Sequence, residues 1–188
     1  MKSKLLLSLS ICSLFLLSAC SVNPPLNSNV NSMLATPVQS SADILGVVVT
    51  LNKNEIAAAR EAKRKAVNPA VKRYANMLYT QHTKNLQKTI NLSRKLGVTP
   101  ATNNLTMMLQ NKGQQEMATL ASLNGRDFDR AYINDMVTDH TEALQLLDQI
   151  LLKRSLGLLL TKHLKSTRDH IAMHLHKAER IQAQLMGS

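Results

Sequence analysis

"NEIAAAREAKRKAVNPAVKRYANMLYTQHTKNL", residues 54–86, is the stretch from which the fold class follows. In its first half Ala59, Ala62 and Ala66 recur at three- and four-residue steps, continuing a stripe begun by Ile44, Val48 and Leu51. Asn68-Pro69 interrupts that pattern, and proline suits the first turn of a new helix, where its missing N–H is not needed. Past the break, Val71, Ala75, Leu78, Leu86 and Leu96 line one face until Gly97 and Pro100 close the segment. Two amphipathic helices joined by a tight turn are predicted, over about 42–67 and 69–96.

Working outward, a second pair follows. Ile133, Met136, Leu144, Leu147 and Leu151 predict a helix over about 127–154, Gly157 marks a turn, and Leu160, Leu164, Ile171, Leu175, Ala178 and Leu185 predict another from Leu158 to Leu185. Residues 98–126 connect the pairs and carry helical stretches of their own. Two tight hairpins and one long crossover predict an all-α, ferritin-like four-helix bundle over 42–186. A plain up-down-up-down bundle, with 98–126 an elaborate loop, is the alternative.

The front of the chain reads differently. "MKSKLLLSLSICSLFLLSAC" has two lysines, an apolar run and small residues before Cys20, the pattern of an export signal over residues 1–19. Leu17-Ser18-Ala19-Cys20 looks like a bacterial lipobox, which implies lipid modification of Cys20 and a membrane anchor. Ser21 after that cysteine points to the outer membrane, with the bundle facing the periplasm. Residues 20–41, rich in Asn, Ser and Pro, read as a flexible tether. Without Lys2 and Lys4 the chain keeps 21 basic residues against 12 acidic, a charge of +9. Such a surface suits anionic envelope components. Nucleic acid is disfavoured by three Tyr, two Phe, no Trp and the export signal.

Two stretches raise the question of function. Tyr74–Gln87 and Tyr132–Gln145, aligned without gaps, share seven of fourteen residues, including His82 and His140. At about 100° per residue, His82 falls between Leu78 and Leu86 in the centre of its stripe, and His140 between Met136 and Leu144. Glu55 takes the equivalent place on the first helix, and on the last helix His174 lies nearest the stripe's centre, ahead of His163 and His170. Residues facing each other across a hairpin average to its turn: Glu55 and His82 give 68.5, His140 and His174 give 157. Each pair is therefore predicted to meet about 20 Å from its turn. Glu55, His82, His140 and His174 suit one Zn, Fe, Mn or Cu ion, with His170 as second choice and Asp139 orienting an imidazole from behind. A buried Glu/His layer that only fixes the packing is the competing reading. The di-iron pattern of paired Glu-x-x-His units is absent, and no nucleophile motif recommends an enzyme over a binding protein.

The blocks "NEIAAAREAKRKAVNPAVKRYANMLYTQHTKNL" and "LNGRDFDRAYINDMVTDHTEAL", with "IAMHLHKAERI" near the end, resemble the DUF4142 family of bacterial envelope proteins. The resemblance implies a ferritin-like helical bundle and places the family's polar positions at Glu55, His82, His140 and His174. It departs from the family pattern at Gln81, where an Asp is usual, while Asp139 keeps it.

Overall fold

The computed structural model describes residues 38, 40–154 and 156–187; the expected signal, Cys20 and nearly all of the tether lie outside them. Five α-helices and one π-helical segment make up the described residues, with no strand among them: α1 Ser41–Lys65, α2 Pro69–Leu96, α3 Asn104–Ser122, α4 Gly125–Leu146, the π segment Leu147–Leu151, and α5 Leu158–Met186. No helix among the described residues is long and apolar enough to cross a membrane.

Local chemistry sets these boundaries. Ser40 and Asp43 cap α1 reciprocally, the Asp43 N–H donating to Ser40 Oγ and the Ser40 N–H to the Asp43 carboxylate. The first helix ends a half-turn before the expected Val67, because Ala66 turns extended (ψ 135°) and Asn68 is extended ahead of Pro69. Asn68 Oδ1 then accepts from the Ala70 N–H, and Pro69 opens α2. Gly97, at φ 65°, closes it in the left-handed conformation that glycine adopts without penalty.

One expectation is sharpened and one is corrected. The 98–126 connection is mostly one continuous 19-residue helix, α3, with Asn103 as its cap. The third long helix does not run regularly to Arg154 but passes into the π segment after Leu146.

Polar ties fix the directions of the helices. Asn103 Nδ2 donates to Asp43 at the start of α1, and Lys65 Nζ at its end donates to the Leu120 and Ala121 carbonyls, so α3 runs parallel to α1. Between those ends α3 lies close, Asn54 Nδ2 donating to the Leu109 carbonyl at 2.7 Å. Asp129, near the start of α4, accepts from the N–H groups of Val67 and Asn68 at 3.1 and 2.7 Å, pinning α4 to the α1–α2 turn. Along α2 and α5, Thr89 meets His163, Asn85 meets Thr167 and Gln81 meets His174, the antiparallel order. Just before α3, the Ala101 N–H donates to the Ala42 carbonyl, and a Cβ on Gly46 would sit 2.0 Å from the Ala101 oxygen. Only glycine lets that segment approach α1.

The core comes in two apolar clusters. One gathers Ile44, Val48, Leu105, Leu147, Leu151 and Leu164 with their neighbours; the other gathers Ala59, Ala62, Leu78, Phe128, Tyr132 and Met136. Each long helix contributes to both, and on each the residue between its two contributions is polar: Asn52 and Glu55 on α1, His82 on α2, His140 on α4, His174 on α5. A polar layer thus separates the two apolar clusters.

Candidate metal centre

His82, His140 and His174 reach this layer from three helices and are nearly sealed from water, at 6%, 1% and 1% exposure. Their ring centroids lie 5.8 Å (His82–His140), 5.0 Å (His82–His174) and 5.4 Å (His140–His174) apart. One nitrogen from each ring lies within 4.8 Å of one from each of the others.

Each ring has one nitrogen committed and one bare. His82 Nδ1–H donates to Asn52 Oδ1 at 3.1 Å, His140 Nδ1–H to the Met136 carbonyl at 2.9 Å, and His174 Nε2–H to Gln81 Oε1 at 2.7 Å. All three acceptors are amide-type oxygens, which can only receive a proton, so the tautomers follow. His82 Nε2, His140 Nε2 and His174 Nδ1 are left as lone pairs, buried and without a partner. A buried polar atom with no partner is unfavourable by roughly 1–3 kcal/mol, and this layer collects three such nitrogens besides Glu55 Oε2.

Electrostatics keep the rings neutral. Burial holds His140 down to about 4. Burial, then the charge that His140, His170 and Lys177 would add, holds His174 to about 3. His82 lies well below its ordinary value for the same reasons, burial first and the other histidines next. At neutral pH the layer therefore offers three unprotonated imidazoles, the form that binds metal.

Glu55 stands beside this set rather than within it. Its Oε1 lies 3.7 Å from His140 Nδ1, too far for a hydrogen bond, and its Oε2 is buried without a partner. Burial raises its pKa well above the usual carboxylate range, and Asp139 and Glu116 add to the rise. Sequence arithmetic paired Glu55 with His82 and His140 with His174; in the structure Glu55 approaches His140, and His82 takes Asn52. Asp139 does not orient an imidazole: Lys112 of α3 holds its carboxylate, along with Glu116 at 2.8 Å and Glu142 at 3.1 Å. His170 is exposed and lies outside the triad.

Three contributors escaped the sequence reading. Asn52 precedes Glu55 by one turn and looks like a surface residue, yet it is 2% exposed. Gln81, marked in the sequence only as a departure from the resemblance, supplies the oxygen that fixes His174. Lys112 lies in the crossover, and only its i,i+4 spacing to Glu116 hinted at an ion pair.

A small cavity of about 30 Å³ lies on the Glu55 side, among Asn54, Lys112, Glu116, Asp139 and Glu142. On the other side a cleft of about 360 Å³ runs between α2 and α5, with His82 and His174 in its wall.

The comparisons agree with this architecture. The DUF4142 family, described as a domain of unknown function, matches residues 28–181, and the chain belongs to it. No curated protein matches the chain. Among solved structures, a DUF305 protein from Streptomyces coelicolor, described as secreted, is similar at a TM-score of 0.65 and 12% identity. The match covers 77% of this chain and 94% of that one, a likeness of fold.

Proposed function

We propose that this DUF4142 protein binds one transition-metal ion in its helical core, through His82 Nε2, His140 Nε2 and His174 Nδ1, with Glu55 as the fourth ligand. The observation that carries the reading is the three buried nitrogens without partners, on three rings that lie together and whose other N–H groups are already anchored to oxygens. Anchoring of that kind fixes the tautomer and aims the lone pair in known metal sites. Ligand nitrogens about 2.0–2.1 Å from a tetrahedral ion stand roughly 3.4 Å apart, so the rings close in by about 1 Å through small side-chain rotations when the ion enters. Imidazole with carboxylate suits Zn, Fe, Mn or Cu. A neighbouring cation would also return Glu55 to its ionised form, against the effect of burial.

In this reading the helices form a ferritin-like four-helix bundle with α3 as the crossover, and the site sits in its core. The signal pattern and Cys20 support an exported protein, lipid-anchored to the outer membrane with its bundle in the periplasm, and the DUF305 neighbour's description as secreted accords with export. Its basic surface would face anionic envelope components.

Metal content of the purified protein, with a His82→Ala/His140→Ala control, tests the site. About one ion per chain is expected in the wild type and none in the control. Wild type that is metal-free and takes up neither Zn, Fe nor Cu overturns the proposal, and leaves a packing layer as the role of these residues.

A further inference from the structure

The two flanks of the histidine layer carry opposite charge. Glu55, Glu116, Asp139 and Glu142 gather on one side around Lys112. The cleft between α2 and α5 has no carboxylate in its lining; its ionisable groups are Lys84, Lys88, His170, His82 and His174. Sequence spacing produces this face: Gln81, Lys84, Asn85 and Lys88 stand at i, i+3, i+4 and i+7 on α2. Neither Lys84 nor Lys88 has an ion-pair partner among the described residues. The volume, about 360 Å³, exceeds by several-fold the roughly 30 Å³ share of a water molecule.

We propose that this cleft is an anion port: it admits a small inorganic anion or carboxylate from solvent to the metal ion, at a coordination position on the side opposite Glu55. The inference rests on the metal reading above and adds a ligand class to it. Three neutral imidazoles leave most of a divalent ion's charge uncompensated, and Glu55 offsets it from one side only. A four-coordinate ion takes an added ligand by expanding to five-coordinate, and the cleft that has His82 and His174 in its wall is the side from which that ligand would come. Lys84 and Lys88 at the mouth raise the local concentration of anions, as a cleft lined by one sign of charge does. Asn85 and Thr167, also in the wall, supply uncharged hydrogen-bonding groups along the way.

Azide titrated into Co(II)-loaded protein tests this, read from the visible d–d spectrum, with Co(II) stoichiometry and affinity measured separately. Wild type should show a saturable spectral change. Two charges about one Debye length from the ion, acting at the effective dielectric constant of about 20 typical near a protein surface and screened by salt, change its anion affinity by about fivefold or more together. A Lys84→Ala/Lys88→Ala variant should therefore bind azide about fivefold more weakly while keeping its Co(II) affinity. Lys72→Ala/Lys95→Ala removes the same charge from exposed positions of α2 outside the cleft and should stay within about twofold of wild type. Stoichiometric Co(II) loading with no azide response, or with a response indifferent to Lys84 and Lys88, overturns the port and spares the metal site. Failure to load Co(II) overturns both.

Discussion

Replacing His140 with alanine removes a ring that is 1% exposed and one of the three partnerless nitrogens. In metal-free protein the two effects oppose each other. The cavity destabilises by about 2–3 kcal/mol, while losing an unpartnered buried nitrogen returns roughly 1–3 kcal/mol. The net metal-free change is therefore expected to be about 1 kcal/mol. With metal the difference is much larger. Free metal at about a thousand times its Kd stabilises the wild type by about 4 kcal/mol, or roughly 12 °C for a domain of this size. Two remaining imidazoles hold an ion far more weakly, so His140→Ala should gain less than about 3 °C. Thermal unfolding followed by circular dichroism, in EDTA and then in Zn, Fe or Cu, measures each term. A His176→Ala control, altering an exposed histidine, should respond as wild type does. The reasoning is refuted if the wild-type midpoint is the same in EDTA and in every metal, or if His140→Ala gains as much as wild type.

Three further outcomes follow from the same geometry. Folding depresses His140 to about 4, so between about pH 6.5 and that value the unfolded chain binds a proton that the folded one refuses. The stability His140 contributes to metal-free protein is thus complete above about pH 6.5 and shrinks at about 1.4 kcal/mol per pH unit as pH falls. Urea unfolding of wild type and His140→Ala at pH 7 and 5 measures that change. Asn52→Ala or Gln81→Ala frees an imidazole to rotate, and competition with a chromophoric chelator should show metal affinity lower by about 10- to 100-fold in a folded protein. Lys112→Ala strands Asp139, Glu116 and Glu142 together, and chemical denaturation should show a loss of about 3 kcal/mol or more; restoration by adding Asp139→Asn would tie that loss to charge.

Much of the site was legible because its determinants are local. Three- and four-residue periodicity puts His82, His140 and His174 on inward faces, and the breaks at Asn68-Pro69 and Gly157 set their heights. Periodicity and height do not fix how far a helix rotates about its own axis. Asn52 and Glu55 are three residues apart, so a modest rotation of α1 decides which of them meets His82. The structure chooses Asn52 and leaves Glu55 near His140. The contacts of α3 were hidden for another reason: Lys112 meets Asp139 across 27 positions of chain, and neither helix's own pattern records that meeting. The block Phe128-Asp129-Arg130-Ala131-Tyr132, the most specific part of the family resemblance, proves to be structural. Phe128 and Tyr132 stack in the core, and Asp129 clasps the α1–α2 turn.

That clasp has a consequence for the order of events in the chain's life. Glu55 and His82 belong to the first hairpin, His140 and His174 to the second, and the donors of each half are incomplete alone. Each hairpin is built from contacts near in sequence, but the three histidines come together only where the halves meet, a junction that Asp129 ties through Val67 and Asn68. A half-made chain offers an ion two ligands at most. If the centre binds an ion as proposed, loading would be a late step that only the finished molecule can take, and an ion once seated would work as a rivet through the seam between its halves.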